Sequence, residues 1–352
     1  MAELILGWDI GGAHLKAALL NQQGQILRVT QQACPLWQGL DQLERALKII
    51  VQAFGDCGAR HVVTMTGELV DLFPDRSEGV NQILQVLSAN FAPESITLFA
   101  GRFGFIEFNQ LQSEHFVEIA SANWLATARY VALQESAGLL IDIGSTTTDI
   151  LLFKDQSVWV QGYSDYQRLI SEELVYTGII RTAVMAVAQR ALFNGHEQGL
   201  MAEYFATMAD VYRLTGELCE AHDQTATADG GPKTLLASAL RLSRMTGYDF
   251  VETDLGLWQS FARQLRRQQL QMIRRGCERQ LSRQLLPADS CLVGAGVGRF
   301  LVKSLAVELG YAYVDFDGYF SEQHLATELC AADCAPAVAV AKLFLNPVNS
   351  KI

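Results

Sequence analysis

Leu6-Gly7-Trp8-Asp9-Ile10-Gly11-Gly12-Ala13-His14-Leu15-Lys16-Ala17-Ala18-Leu19-Leu20 and Leu139-Leu140-Ile141-Asp142-Ile143-Gly144-Ser145-Thr146-Thr147-Thr148-Asp149-Ile150-Leu151-Leu152-Phe153 are two versions of one stretch, 133 positions apart. At that offset Leu6/Leu139, Asp9/Asp142, Ile10/Ile143, Gly11/Gly144 and Leu19/Leu152 are identical, and the outer positions stay apolar around a small polar centre. Each copy reads as strand, tight turn, strand, because the apolar runs have strand length and the central glycines supply the backbone freedom a hairpin needs. Further out, Gly24-Gln25-Ile26-Leu27 falls on Ser157-Val158-Trp159-Val160, a third strand in each half. An internal duplication follows.

Such a turn suits anions. Consecutive amides around Gly11, Gly12 and Ala13, and around Gly144, Ser145, Thr146 and Thr147, form a nest for phosphate oxygens, with hydroxyls as further donors. Asp9 and Asp142 repel a bare phosphate, so they make sense if a divalent cation, Mg²⁺ held largely through water, lies between them and the phosphates. Two such loops facing each other would clamp a diphosphate; the alternative is a pair of ordinary glycine hairpins.

After the first hairpin, Leu40 to Phe54 has helical periodicity and His61 to Met65 reads as a strand running into Thr66-Gly67-Glu68-Leu69. That ending places a hydroxyl and a carboxylate at a strand's carboxyl edge, where open α/β sheets bind ligands. Val80 to Ala89 is helical, Ile96 to Phe99 a strand, and Phe116 to Leu133 one long helix in which Asn123 and Trp124 are expected mainly to pack. The boundary is drawn at 136/137, giving a first domain of 1–136 and a second of 137–352. The stretch 169–285 reads as a nearly all-helical insertion over the cleft, broken at Gly195, at Asp229-Gly230-Gly231-Pro232 and at Gly247. Three pieces of it are unusually polar: Tyr176 to Arg181, Asp210 to Glu217 and Thr227 to Thr234. They offer Arg181 and Lys233 as partners for phosphate or carboxylate, or as plain helix-end residues. The chain then returns to α/β: a strand at Ser290–Val293, Gly294-Ala295-Gly296-Val297-Gly298 opening a helix to about Gly310, a strand at Tyr311–Asp315, and a closing helix Ala335–Leu345. The glycine run lacks the sixth glycine of a dinucleotide fingerprint. Gly294 and Gly296 let backbone approach a nucleotide-like ligand, or let helix pack on strand.

Of 352 residues, 50% are hydrophobic and 18% charged, and the net charge is −11, which argues for a globular protein and against nucleic acid. The arginines at 263, 266, 267, 274, 275, 279 and 283 gather on one predicted helix, either as a solvated face or as a docking surface for an acidic partner. Glu3 and Asp9 flank a run too short and too acidic for a signal peptide, no stretch is long enough to span a bilayer, and seven cysteines fit a reducing cytoplasm, where the protein is expected. Cys330 and Cys334, with His324 upstream, read as one buried helix face rather than a zinc fragment.

The two Asp-Ile-Gly hairpins and the late strand-Gly-Ala-Gly-helix resemble the phosphate and adenosine motifs of the actin-like ATPase superfamily of sugar kinases, acetate kinase and heat-shock chaperone ATPases. Thr64-Met65-Thr66-Gly67-Glu68-Leu69, the Asp142–Asp149 run and Tyr176–Thr182 resemble its hydantoinase/oxoprolinase branch. With Asp9–Lys16, Asp210–Glu217 and Thr227–Gly230 they are similar to a family linked to tetrahydromethanopterin-dependent one-carbon transfer in methylotrophic bacteria and to archaeal relatives in methanofuran biosynthesis. The resemblance implies two actin-like (ribonuclease H-like) α/β domains facing a cleft, with a helical insertion in the second half. It also implies the archaeal reaction: an aminomethylfuran-methyl diphosphate condenses with the phenol of a tyramine derivative and releases pyrophosphate. On that chemistry Lys16 and Arg181 would meet the leaving charge, Glu68 or Asp149, the latter in the place that Lys16 holds in the first hairpin, would take the phenol proton, and Mg²⁺ would be the cofactor. ATP is left open. The alternatives are an ATP-dependent small-molecule kinase or ring-opening amidohydrolase, and a non-catalytic nucleotide-binding subunit. A homodimer is expected, without nucleic-acid or membrane partners.

Overall fold

The computed structural model describes residues 4–55, 58–320 and 328–346; Glu3 and His324 lie outside them. In chain order the first elements are β1 (Ile5–Ile10), β2 (His14–Leu20), β3 (Ile26–Ala33), α1 (Leu40–Phe54), β4 (Arg60–Met65), α2 (Arg76–Asn90), β5 (Ile96–Phe99), β6 (Phe105–Glu107), α3 (Phe116–Ile119) and α4 (Asn123–Gln134). Next come β7 (Ala137–Ile143), β8 (Thr148–Lys154), β9 (Ser157–Val158), α5 (Asp165–Ser171), β10 (Leu174–Val175), α6 (Val184–Val187), β11 (Arg190–Phe193), β12 (His196–Gly199), α7 (Met208–Thr215), α8 (Leu235–Thr246) and α9 (Leu255–Leu281). The last are β13 (Cys291–Ala295), α10 (Arg299–Leu309), β14 (Ala312–Asp315) and α11 (Ala335–Leu345). No described helix is both long and apolar enough to cross a membrane.

Two compact units result. One holds Met1–Leu140, Leu151–Val160 and Val314–Ile352, the other Ile141–Ile150 and Gln161–Tyr313. The single boundary expected at 136/137 therefore does not describe the chain's path: the closing residues group with the opening ones, because α11 packs on β1 and α4.

The first unit is built on a sheet ordered β3-β2-β1-β4-β5-β6. β1 and β2 pair antiparallel, while β1 and β4 pair parallel, so the hairpin leads into a crossover through α1. Alternation sorts the two faces. Leu6, Trp8 and Ile10 join one core with Leu43, Leu47 and Ile50 of α1 and Val80, Ile83 and Leu87 of α2. Gly7 and Asp9 point the other way, toward α11: a Cβ on Gly7 would stand 2.1 Å from the carbonyl oxygen of Ala337, so only glycine allows that approach. The helix expected over Phe116–Leu133 is broken, because Ser121 takes a left-handed backbone (φ 51°) between α3 and α4.

The second sheet runs β10-β8-β7-β13-β14, with β9 also on β8, and repeats the pattern of a central hairpin beside later strands. The inserted stretch is not nearly all helix. It carries α7, α8 and the 27-residue α9, but also the antiparallel hairpin β11–β12. Asn194 (φ 49°) and Gly195 (φ 80°) form its two-residue turn, both in the left-handed region that such turns need. Cys330 and Cys334 do not share a helix face either. A 3₁₀ turn, Ala331–Cys334, separates Cys330 from α11, and Cys334 alone is fully buried.

Candidate functional site

Both hairpin turns close in the same way. The Gly11 amide donates to the carbonyl of His14 at 3.0 Å, and 133 positions on the Gly144 amide donates to Thr147 at 2.9 Å. These two amides are therefore spent on the turns and drop out of the expected phosphate nests, which leaves Gly12 and Ala13 in one loop and Ser145, Thr146 and Thr147 in the other.

In the first unit the registers place Gln31, Lys16, Asp9 and Thr64 opposite one another across β3, β2, β1 and β4. In-register neighbours share a face, so these four polar side chains form one row across the sheet. Asp9, Gln31 and Thr64 are all buried, and the Thr64 hydroxyl has no hydrogen-bond partner among the described residues. Asn123, expected mainly to pack, belongs to this group: its amide donates to Asp9 Oδ1 at 3.3 Å, while its own oxygen accepts from the Trp124 amide at 2.7 Å. Trp124 itself is buried. Lys16 Nζ donates to the Asp333 carbonyl at 2.7 Å at the start of α11. Its ammonium is thereby held against the backbone, a different engagement from the diphosphate grip expected of it.

Glu68 is 1% exposed and accepts from Ser121 Oγ at 2.7 Å. The left-handed kink at Ser121 is what swings that hydroxyl to the carboxylate. Gly79 makes room for this arrangement, since a Cβ there would lie 2.5 Å from the Glu68 carbonyl oxygen.

In the second unit Asp142 is the penultimate residue of β7, at 8% exposure. Gly296 (φ 75°) packs directly on it: an added Cβ would come within 2.4 Å of Asp142 Oδ1 and of the Ile143 carbonyl oxygen, and the Gly298 amide donates to that carbonyl at 2.8 Å. Gly294 likewise faces the Tyr313 ring, which a Cβ would meet at 2.8 Å. The glycine run thus lets strand and helix close on the Asp142 loop.

The segment Tyr176–Arg181 wraps the same loop. Ile179 N donates to Gly144 O at 3.0 Å, and Ile180 N and Arg181 N both donate to Ser145 O, at 3.1 and 3.0 Å. A Cβ on Gly178 would meet the Thr146 nitrogen at 2.5 Å. Arg181 reaches Thr146 Oγ1 at 3.4 Å, placing a guanidinium beside the loop, and Ser145 Oγ is shielded from solvent with no partner among the described residues. Behind this segment stands the fully buried Gln269 of α9. It donates to Thr177 Oγ1 and Gly178 O, both at 2.8 Å, and accepts from Tyr212 Oη at 2.5 Å. Thr148 Oγ1 ties the hairpin to the same segment through Thr177 O at 2.7 Å.

Two further expected site residues have partners of their own. Asp149 is ion-paired with the buried Arg168; burial raises its carboxyl pKa and the guanidinium opposes that rise. Lys233 bonds the side chain of Asp223 at 3.2 Å and its carbonyl oxygen, inside a network in which Arg213 meets Glu220 and Asp223 at 2.7 Å each. Arg241, 0% exposed, grips Asp210 at 2.6 Å and Asp229 at 3.2 Å. The polar stretches Asp210–Glu217 and Thr227–Thr234 are thus the two sides of a buried ionic lock. On α9 and just beyond its end, Arg266, Arg274, Arg275, Arg279 and Arg283 pair with Glu217, Glu278 and Glu308, Glu172, Glu172 and Glu173, respectively. The basic run is largely neutralised by its own chain. Among the described residues no three His, Cys, Asp or Glu side chains gather as a metal cage.

Residues 60–343 match the hydantoinase/oxoprolinase family. The chain is 30% identical over 354 aligned residues, 99% of its own length and 100% of the relative's, to (4-{4-[2-(gamma-L-glutamylamino)ethyl]phenoxymethyl}furan-2-yl)methanamine synthase of Methanocaldococcus jannaschii. The synthase of the same name from Methanococcus vannielii is 31% identical over 107 residues, 30% of this chain and 48% of that protein. Among solved structures, nucleotide-free acetone carboxylase superposes with a TM-score of 0.60 at 10% identity, over 97% of this chain and 70% of that one. That likeness speaks to fold alone, and it agrees with the expected α/β fold of two hairpin-centred sheets.

Proposed function

The chain belongs to the hydantoinase/oxoprolinase family, and we propose that it is a cofactor-biosynthesis transferase joining an aminomethylfuran-methyl diphosphate to the phenol of a tyramine or tyrosine derivative. The observation that carries this is the end-to-end identity to a synthase whose name describes an aryl ether between such a phenol and a furan-bound methylene. In the reaction the bond from the methylene carbon to diphosphate oxygen breaks, a phenolic carbon–oxygen–methylene ether forms, pyrophosphate leaves with the bonding pair, and the phenol proton goes to a base. Furan delocalises positive charge at that methylene, so departure is limited by how well the leaving charge is met.

The Ser145–Thr147 loop and Arg181 are equipped to meet it, with backbone amides, hydroxyls including the unpartnered Ser145 Oγ, and a guanidinium at 3.4 Å from Thr146 Oγ1. Asp142 beside this loop is the carboxylate that would hold Mg²⁺, which supplies neutralisation of the leaving diphosphate when bound; Asp9 is the matching carboxylate of the first hairpin. A single carboxylate beside a phosphate-binding loop, with no thiolate or imidazole cage among the described residues, fits a cation that keeps most of its waters. Lys16 faces the same polar row as Asp9. For the base, Glu68 with its Ser121 partner is preferred to Asp149, whose carboxylate answers Arg168.

The test is to supply the furan diphosphate and a phenolic amine and follow ether and pyrophosphate together. Both should appear in equal amounts and both should fall when Asp142→Ala is introduced. The family's other activity, ATP-driven ring opening or phosphorylation, is the second reading: ADP formation stimulated by a small acceptor, with no ether from well-folded protein, would replace the first.

A further inference from the structure

Helix α5 is amphipathic the wrong way round. Inside it carries Arg168 at 1% exposure, and outside it carries Tyr166, Leu169 and Ile170 at 73%, 47% and 56%. The spacing i, i+3, i+4 puts those three on one stripe, and Tyr163 just before the helix adds a ring at 37% exposure. A surface helix normally turns such a stripe inward.

The orientation is fixed by the chain itself. Arg168 bonds Asp149 and the Glu173 carbonyl, at 3.2 Å for the latter, which leaves no rotation of the helix that buries the stripe and keeps the ion pair. Both ends are pinned as well. Ser164 Oγ accepts from Gln167 N at 3.3 Å while Gln167 Oε1 accepts from the amides of Tyr163 and Ser164, a capping box, and Glu172 closes the other end with a left-handed backbone. The exposed stripe is therefore part of the folded state and not the product of a frayed turn.

With about 200 Å² for a fully exposed aromatic side chain and a similar figure for a large aliphatic one, the four residues present about 400 Å² of mostly apolar surface. The apolar share of one side of a standard interface, about 800 Å² in all, is about 450 Å². The border carries both signs: Asp165 at the amino-terminal end, and at the other end Glu172 with Arg275 at 3.1 Å and Arg279 at 3.9 Å. A two-fold axis through the stripe and perpendicular to α5 lays two α5 helices antiparallel. Asp165 of each, whose own cation is the buried Arg168 at 4.0 Å, then lies toward the Glu172–Arg275 pair of the other, and the two macrodipoles run opposite. An anionic lipid surface asks for a wholly basic border, which a chain of net charge −11 with Asp165 and Glu172 on that border does not offer.

We propose that Tyr163, Tyr166, Leu169 and Ile170 form the centre of a two-fold interface between two copies of this chain. The experiment is sedimentation equilibrium of the full chain from about 1 to about 100 μM. A dimer is expected for the parent, with association weakened at least about tenfold in Tyr166→Glu and in Ile170→Glu. Both positions are exposed, so circular dichroism and melting temperature should match the parent. Ile170→Cys, near the axis, should cross-link to itself under mild oxidation, whereas a cysteine in place of the exposed Leu192, far along the chain, should not. A monomeric parent at the highest concentration, or a dimer indifferent to both glutamates, overturns the proposal. Binding of the parent to neutral lipid vesicles, lost in the glutamate variants while the parent stays monomeric, overturns it too, in favour of a bilayer.

Discussion

Asn123 holds Asp9 with an amide whose direction is set at both ends: nitrogen to Asp9 Oδ1 at 3.3 Å, oxygen from the Trp124 amide at 2.7 Å. A carboxylate fixed in this way keeps one orientation, which is what the proposed metal role asks of it. Asn123→Ala is expected to lower kcat/KM for ether formation about tenfold, the loss of one hydrogen bond to a charged group, with the melting temperature within about 3 °C. Asn123→Asp, which sets a second carboxylate against Asp9, should lose more. Parent-like kinetics in both variants would remove Asn123 from the site.

Gly296 has a left-handed backbone and stands where any Cβ would strike Asp142 at 2.4 Å. Gly296→Ala should therefore cost about 3 kcal/mol, combining strain and displacement, and should weaken calorimetric pyrophosphate binding because Asp142 must move. Gly199, with open space around its Cβ position, provides the control: Gly199→Ala should change binding by less than about twofold.

Gln269 links Tyr212 Oη to the Thr177 hydroxyl and the Gly178 backbone. Gln269→Leu strands three buried polar atoms and should lower unfolding free energy by about 2–4 kcal/mol in urea titrations. Tyr212→Phe should cost about 1 kcal/mol, and the double variant much less than the two losses added together. Additive losses would show that these residues do not act as one unit.

His61 gives the first unit a pH dependence. Its Nδ1 accepts from Trp8 Nε1 at 3.1 Å, its ring stacks on Phe91 at 3.8 Å, and burial pushes its pKa down to about 4. The unfolded chain binds this proton near pH 6.5, so the stabilisation from the neutral ring is complete above that value and is lost as pH falls toward about 4. The loss should be on the order of 2 kcal/mol after allowing for the ring's partial exposure. Melting curves between pH 7 and pH 4 should fall less steeply in His61→Phe, which keeps the stack and cannot titrate.

The duplicated hairpin was legible because its signal is local: apolar runs of strand length around a glycine turn, twice, at one offset. The registers of β1 with β2 and the matching Gly11–His14 and Gly144–Thr147 bonds are its direct expression. The β11–β12 hairpin carried an equally local signal, Asn194-Gly195, but its flanks include His196, Glu197 and Gln198, too polar to announce a strand. The break at Ser121 had no such cue, since a serine in the left-handed region is held by tertiary contacts, here the bond to Glu68. Partners across long separations were hidden for the same reason. Lys16 and Asp149 look available in sequence, and only the fold brings the Asp333 carbonyl and Arg168 to them. Helix α5 misleads in the opposite sense, because its periodicity marks the wrong face as core.

The seating of α11 against Gly7 and the bond from Lys16 to Asp333 join positions 317 residues apart in the latter case. During synthesis, then, the sheet that emerges early from the ribosome waits for nearly the whole chain before the part of its Asp9 face that α11 covers is closed. Until that moment Ile5 and Leu20 on that face remain open to water and to passing hydrophobic surfaces. Closure of so long a loop is a slow, late event, and the vulnerability of this protein to aggregation belongs to the interval before its closing helix arrives.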